Sequence, residues 1–172
     1  MNQTTGIKRI IAGFAILMAW FPAATMAAIH IELDVADGAL YVSSNSGRCP
    51  DGRIDCIAVQ KGDEPHLFFD LAKACKRDGP PYKLNRFRIA MKDKHWPTAD
   101  NPLPANVASD FNADPSTGVV DLTAGENQLK DDRIKLKDRN NSAYTVYYEI
   151  QATGCDGSGE IVLDPAIRNT GK

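Results

Sequence analysis

The sequence predicts an all-β protein, an antiparallel β-sandwich of about 8–10 short strands braced by disulfides. Apolar residues recur at every second position through most of the chain, and turn-forming residues separate these runs. Four cysteines are spread over the same region. Together these observations favour a single sandwich domain, residues 28–172, preceded by an export signal, residues 1–27.

The N-terminal part of the domain predicts four strands in two hairpins. Apolar side chains alternate with polar ones from Ile29 to Val35, and Asp37-Gly38 then turns the chain into Ala39–Val42. Two further runs, Ile54–Gln60 and His66–Leu71, flank a polar turn. We expect these two runs to pair with each other.

A strand and then the longest loop follow in the middle of the chain. The alternation over Leu84–Met91 predicts that Phe87, Ile89 and Met91 share the inner face. The stretch Lys92–Asn106 contains three prolines and almost no periodicity. It therefore predicts an irregular surface loop.

The C-terminal part contains the clearest strand. A turn leads into Val119–Leu122, and Arg133–Lys137 carries two apolar residues on one side. From Tyr144 to Ala152 apolar and polar residues alternate without interruption. The glycine-rich segment Gly154–Gly159 then predicts a hairpin into Glu160–Leu163.

The N-terminus has the organisation of an export signal. Lys8 and Arg9 precede the apolar run Ile10–Trp20, and Pro22 and several small residues follow it. The run is too short to span a bilayer, which takes about 20 residues. We expect cleavage after Ala27 or Ala28 and a soluble bacterial protein that is periplasmic or secreted, not embedded in the membrane.

The charge of the chain argues against a nucleic-acid partner. Removal of the signal leaves 18 lysines and arginines against 22 aspartates and glutamates. Phosphate backbones are bound by basic stripes that release counterions, and no such stripe is visible.

The cysteines predict two disulfides, because their number is even and export places them in an oxidising compartment. Three pairings are possible for Cys49, Cys56, Cys75 and Cys155. A turn-like segment separates the first two, which favours Cys49 with Cys56 and leaves Cys75 with Cys155. The spacings contain no CxxC and no histidine at a ligand-like offset, so neither a metal nor another cofactor is predicted.

The histidines are the candidates for catalysis. His30 lies on the polar face of a strand, His66 opens a strand, and His95 lies in the long loop. A hydrolase would need one of them beside a carboxylate and a nucleophile, and no catalytic motif accompanies them. We interpret all three as surface residues, with an exported hydrolase as an alternative.

The long loop supplies the candidate binding surface. His95 and Trp96 lie in it among prolines, and loops on a rigid sandwich often carry binding residues. Alternatively, Trp96 plugs an open end of the sandwich. The favoured function is a binding module for another protein or an envelope glycan, and a further alternative is a structural envelope component that self-associates through strand edges.

The C-terminal segment resembles small bacterial proteins of the DP-EP family. The resemblance rests on the strand Tyr144–Ile150, the glycine turn, and the closing Asp164-Pro165-Ala166-Ile167-Arg168-Asn169, preceded by Asp138-Arg139-Asn140. It implies an all-β fold and no defined activity. From the residues themselves, we expect Pro165 to end the last strand and Asn169 to cap the turn that follows.

Overall fold

The computed structural model describes residues 28–91 and 95–171. The predicted export signal and its cleavage point before residue 28 lie outside the described residues. Within them, no helix is long and apolar enough to cross a bilayer. The elements, in chain order, are β1 (Ala28–Ala36), β2 (Ala39–Asn45), β3 (Cys56–Val59), β4 (His66–Leu71), β5 (Tyr82–Ala90), α1 (Ala105–Phe111), β6 (Gln128–Lys130), β7 (Arg133–Lys137), β8 (Ala143–Gly154), β9 (Glu160–Leu163) and β10 (Ala166–Thr170).

The strands form two sheets of five, which confirms the all-β prediction. The first sheet has the order β2-β1-β4-β7-β6, and the second has the order β3-β10-β8-β5, with β9 beside β8. The sheets are mixed and not purely antiparallel as predicted, because β1 pairs with β4 and β3 pairs with β10 in parallel. Alternation of apolar residues does not distinguish the two directions, since parallel and antiparallel strands have the same two-residue period.

The core lies between the inner faces of the two sheets. Phe69 of the first sheet contacts Phe87 and Tyr148 of the second, with ring centroids 5.2 and 5.3 Å apart. All three side chains are fully buried. Aromatic contacts across the interface therefore hold the two layers together.

The first hairpin is confirmed. Asp37 and Gly38 have φ angles of 52° and 72°, the left-handed conformation that a two-residue turn of this kind requires at both positions. Ile31 and Leu33 are buried and His30 is exposed, as the alternation of β1 predicts.

The second predicted hairpin is wrong. β3 lies in the second sheet beside β10, whereas β4 lies in the first sheet between β1 and β7. The polar segment between them therefore connects the two layers instead of closing a tight turn. The inward side chains of β4 are still those predicted, because Leu67, Phe69 and Leu71 are all buried.

The region after β5 differs from the prediction in two ways. Met91 is 36% exposed and not inward, because it lies beyond the last residue of β5. The predicted loop Lys92–Asn106 is shorter than expected, because α1 begins at Ala105. This helix buries Val107 and Phe111, and Asn112 ends it in the left-handed conformation.

Two short strands are absent from the prediction. β6 has only three residues, and β10 lies beyond Asp164-Pro165, where the end of the sheet was expected. Asn169 is consequently not a turn cap. It lies within β10 and is 4% exposed.

The favoured disulfide pairing is confirmed. The short bridge joins Cys49 and Cys56 across seven residues, and the long bridge joins Cys75 and Cys155 across 80. Their Cα atoms are 5.4 and 5.6 Å apart, within the range usual for disulfides.

Candidate functional site

Trp96 lies against the outer face of the second sheet. Its ring stacks on the guanidinium of Arg88, whose central carbon is 3.8 Å from the ring centroid. Trp96 is half-buried there, and neither Phe87 nor Tyr148 of the inner face is a ring partner. The tryptophan therefore covers part of the sheet surface and does not close an end of the sandwich.

An ion-pair network lies beneath this tryptophan. Arg88 Nη2 donates to Glu149 Oε2 over 2.6 Å, and Arg86 Nη2 donates to Glu149 Oε1 over 3.1 Å. The Glu149 side chain is only 6% exposed, although it projects from the outer face of β8. Because they are shielded from water, these charge-assisted hydrogen bonds are stronger than those of exposed ion pairs. Since Trp96 stacks on Arg88, they also help to anchor the loop to the sheet.

A cleft of about 290 Å³ opens beside Trp96. Five of its seven described lining residues are apolar, and His95 and Asn101 supply the polar side chains, but polar and apolar atoms contribute about equally to its surface. His95 and Met91 are exposed at the surface, whereas Pro97 and Leu103 are buried. The lining residues are Met91, His95, Pro97, Asn101, Pro102, Leu103 and Pro104.

The backbone around this cleft is held by specific contacts. Thr98 and Asn101 exchange backbone hydrogen bonds of 3.1 and 3.2 Å, and Leu103 N donates to Pro115 O over 2.8 Å. Gly118 has a φ of 72°, and a Cβ there would lie 2.1 Å from Ile89 O. The close approach that only glycine permits keeps this turn against β5 and against Pro97 of the loop, whose Cγ would lie 2.9 Å from the same Cβ.

Two of the three histidines lie near carboxylates. On the outer face of the first sheet, His30 stacks on Phe68 at 4.9 Å, and its Nδ1 is 3.7 Å from Asp70 Oδ2. His66 Nε2 is 3.3 Å from Glu126 Oε1, outside hydrogen-bonding geometry. Burial lowers the pKa of His66, and the neighbouring positive charges of β7 lower it further.

A second cleft, of about 210 Å³, lies next to His66 and has Glu126 in its wall. Its described lining residues include three further charged side chains, Asp110, Lys137 and Arg139, and no serine, threonine or cysteine. A histidine and an acid therefore lie close together here, but without the hydrogen bond that a hydrolase needs between them. A nucleophile is missing from the described wall of this cleft.

A buried polar cluster that the sequence pattern does not predict connects α1, β8 and the C-terminus. Its members are Asp110, Asp138, Asn140, Tyr144 and Asn169. Tyr144 Oη donates to Asp110 Oδ2 over 2.6 Å, and Asn169 Nδ2 donates to Asp138 Oδ1 over 3.0 Å. Thus the two motifs that resemble the DP-EP family meet in space, through Asp138 and Asn169.

Asn140 joins the same cluster to the chain's last described residues. Its Nδ2 donates to Gln60 O and Asp63 O, and its Oδ1 accepts from Gly171 N over 3.0 Å. Asn140 has a φ of 44°, a conformation that asparagine tolerates better than most residues. The segment between β7 and β8 is therefore a hydrogen-bonded junction, and its polar residues are structural.

Asp138 is the most perturbed acid of the cluster. Burial raises the pKa of its carboxyl to about 7, and hydrogen bonds from Asn140 N and Asn169 oppose that shift. Its Oδ2 atom is buried without a hydrogen-bond partner, as is Asn169 Oδ1. A short motif of Asp, Asn and aromatic residues near the C-terminus is the only sequence signal for this cluster.

Two turns contain an aspartate, Asp114 or Asp156, whose carboxylate accepts hydrogen bonds from backbone N–H groups of the same turn. Asp114 Oδ1 accepts from Ser116 N and Thr117 N, and Asp156 Oδ1 accepts from Ser158 N and Ser158 Oγ. Hydrogen bonds from neighbouring serines lower the pKa of both carboxyls. Among the residues that the structure describes, no group of three or more His, Cys, Asp or Glu side chains has a metal-binding arrangement.

No protein-family model matches this chain, and no curated protein matches it significantly.

Proposed function

We propose that this protein is an exported binding module, and that the cleft lined by His95 and the prolines beside Trp96 takes an apolar side chain of a partner protein. The observation that carries the proposal is this cleft of about 290 Å³, in which five of the seven described lining residues are apolar. Its volume suits one large side chain, and its fixed backbone lowers the entropy that binding costs.

A protein partner fits this cleft better than an envelope glycan. Sugars are usually held by several polar groups and a free aromatic face, whereas the lining here has two polar side chains, those of His95 and Asn101. The ring of Trp96 already stacks on Arg88. Binding energy would come from burial of an apolar anchor, as in the centre of protein interfaces.

Export is supported by the two disulfides, which are compatible with an oxidising compartment, where such bonds persist. We propose that residues 1–27 are removed and that the domain works in the periplasm or outside the cell.

The other two functions have weaker support. A hydrolase would use His66 with Glu126, but the cleft beside them has no nucleophile in its described wall. Self-association through a strand edge would use β2, which ends the first sheet. The resemblance to the DP-EP family adds an expected fold to this proposal and no ligand.

Site-specific photo-crosslinking tests the binding proposal. A photoreactive phenylalanine analogue replaces His95 in one version of the protein and the exposed Tyr41, on the other sheet, in a control version. We expect irradiation of living cells to give a protein adduct from position 95 and none from position 41. The Met91→Glu change, which puts a charge in the cleft, should remove that adduct.

Three results would count against the proposal. The first is equal crosslinking from positions 95 and 41, and the second is an adduct that Met91→Glu leaves unchanged. The third is an adduct that mass spectrometry identifies as glycan alone, because that would contradict the partner class. Circular dichroism of each variant verifies that the fold is retained.

A further inference from the structure

The two disulfides differ in their access to solvent. Both cysteines of the long bridge, Cys75 and Cys155, are exposed. In the short bridge, Cys49 is 2% exposed and Cys56 is fully buried. The long bridge is therefore the more accessible of the two to a thiolate in solution while the protein is folded.

The segment that carries Cys75 is held weakly. Of residues 72–78, only Ala74 is buried. Cys75 and Lys73 have φ angles of 55° and 58°, a left-handed conformation that costs free energy in residues other than glycine. Apart from the exposed ion pair between Lys73 and Asp78, the local hydrogen bonds are backbone bonds, such as that from Cys75 N to Pro80 O over 3.1 Å. Opening of the bridge would let this segment relax.

The charges around the two sulfurs differ. Lys76 and Arg77 directly follow Cys75, and both side chains are exposed. Asp156 directly follows Cys155 in the chain. Asp78 follows Arg77, but it pairs with Lys73 over 2.6 Å, so a net positive charge remains in the segment of Cys75. Positive neighbours stabilise a thiolate, so Cys75 is the better leaving group of the pair.

A shallow cleft gives access to the other sulfur. It has a volume of about 390 Å³, and Cys155 lies in its wall with Tyr82 and Pro81. Cys155 N also donates to Pro81 O over 2.9 Å, which fixes the backbone of Cys155 against the start of β5. Cys155 itself lies in the exposed turn that follows β8, and this hydrogen bond ties its backbone to the residue before β5.

We propose that the long bridge is a site of thiol–disulfide exchange, at which an external thiolate attacks Cys155 Sγ from this cleft and Cys75 leaves. The new bond joins the external sulfur to Cys155 Sγ, and the Cys75–Cys155 bond breaks. Its electron pair goes to Cys75 Sγ, which becomes a thiolate. The external thiol is oxidised and Cys75 is reduced, so the step is balanced, and attack by Cys75 on Cys155 Sγ reverses it. The inference does not depend on the binding cleft beside Trp96.

Trapping of the mixed disulfide tests this inference. The folded oxidised domain, residues 28–172, is mixed with reduced glutathione, quenched at intervals with iodoacetamide, and digested for mass spectrometry. We expect glutathione on Cys155 and carbamidomethyl on Cys75, at a rate at least ~10-fold above that of any modification of the short bridge, because buried disulfides are shielded from attack.

A charge variant tests the role of the basic pair. Lys76→Gln combined with Arg77→Gln should slow exchange several-fold, while Lys61→Gln combined with Lys135→Gln, which removes the same charge elsewhere, should not. Equal rates in the two variants would contradict the assignment of Cys75 as leaving group. Glutathione found mainly on Cys75 would contradict it as well.

The short bridge reports on global unfolding. If both disulfides react at one common rate, exchange occurs through the unfolded chain and the proposal fails. If the long bridge resists millimolar glutathione in the folded domain for as long as the short bridge does, the proposal also fails.

Discussion

Replacement of Asp138 by asparagine should stabilise the protein at pH 8 and remove the loss of stability that ionisation of Asp138 causes between pH 4 and pH 7. The folded-state pKa of Asp138 is raised from 3.8 to about 7. A raised pKa means that the folded protein holds this proton more tightly than the unfolded chain does. The contribution of Asp138 to the free energy of unfolding is therefore largest below pH 4, and it falls as the pH rises through this window.

The size of the effect follows from the pKa shift. Three pKa units correspond to about 4 kcal/mol, since each unit is worth about 1.4 kcal/mol. An asparagine side chain keeps one carbonyl oxygen for Asn140 N and for Asn169, and it replaces the partnerless Oδ2 by an amide group. We expect Asp138→Asn to gain up to about 4 kcal/mol at pH 8 and little below pH 4.

Urea unfolding followed by circular dichroism at several pH values measures this difference. Asp156→Asn is the matched control, because hydrogen bonds from Ser158 lower the pKa of that exposed carboxyl. Its contribution has the opposite sign: it is present above the ordinary pKa and is lost as the pH falls. The reasoning is refuted if Asp138→Asn is less stable than the wild type at pH 8, or if its stability changes with pH as the wild type's does.

Three further predictions concern the bridges and the aromatic residues. Loop entropy predicts that Cys-to-Ala replacement lowers the free energy of unfolding by about 4.5 kcal/mol for the long bridge and by about 2.4 kcal/mol for the short bridge, which calorimetry measures. A larger loss for the short bridge would contradict this prediction. Trp96→Ala should cost about 1–2 kcal/mol in urea unfolding, because it uncovers Arg88, whereas Val162→Ala at an exposed position should cost under about 0.5 kcal/mol. Tyr148→Phe should raise the thermal midpoint, because the buried Tyr148 hydroxyl has no hydrogen-bond partner, and an unchanged or lower midpoint would count against that.

The alternation of apolar residues predicted most strands and their inward faces, but it did not predict their partners. His66–Leu71 has the same buried side chains whether it pairs with β3 or lies between β1 and β7. Pairing is decided by contacts between segments far apart in the chain, which a local pattern does not contain. The disulfide pairing was easier to predict, because the separation of only seven residues between Cys49 and Cys56 already favours one of three pairings.

The candidate site was harder to predict, because tertiary contacts bury polar residues whose positions in the sequence predict exposure. Glu149 occupies an outward position of β8, which predicts exposure, yet two arginines and Trp96 cover it. The sequence predicts that Asn169 caps a turn, yet Asn169 donates a buried hydrogen bond to Asp138. The resemblance to the DP-EP family includes both segments, but it does not predict that they contact each other.

The parallel pairing of β3 with β10 determines the order in which strands can join the second sheet. Cys56 lies opposite Ala166, and β10 lies between β3 and β8, so β3 joins the second sheet only after β10 has been synthesised. A chain that emerges N-terminus first can close the short bridge and the β1–β2 hairpin early, whereas this part of the second sheet stays incomplete until β10 is added. Gly171 fastens β10, because its N–H donates to Asn140 and its C=O accepts from Gly62 N. A chain that is cut before β10 would therefore leave β3 without a neighbouring strand in the second sheet.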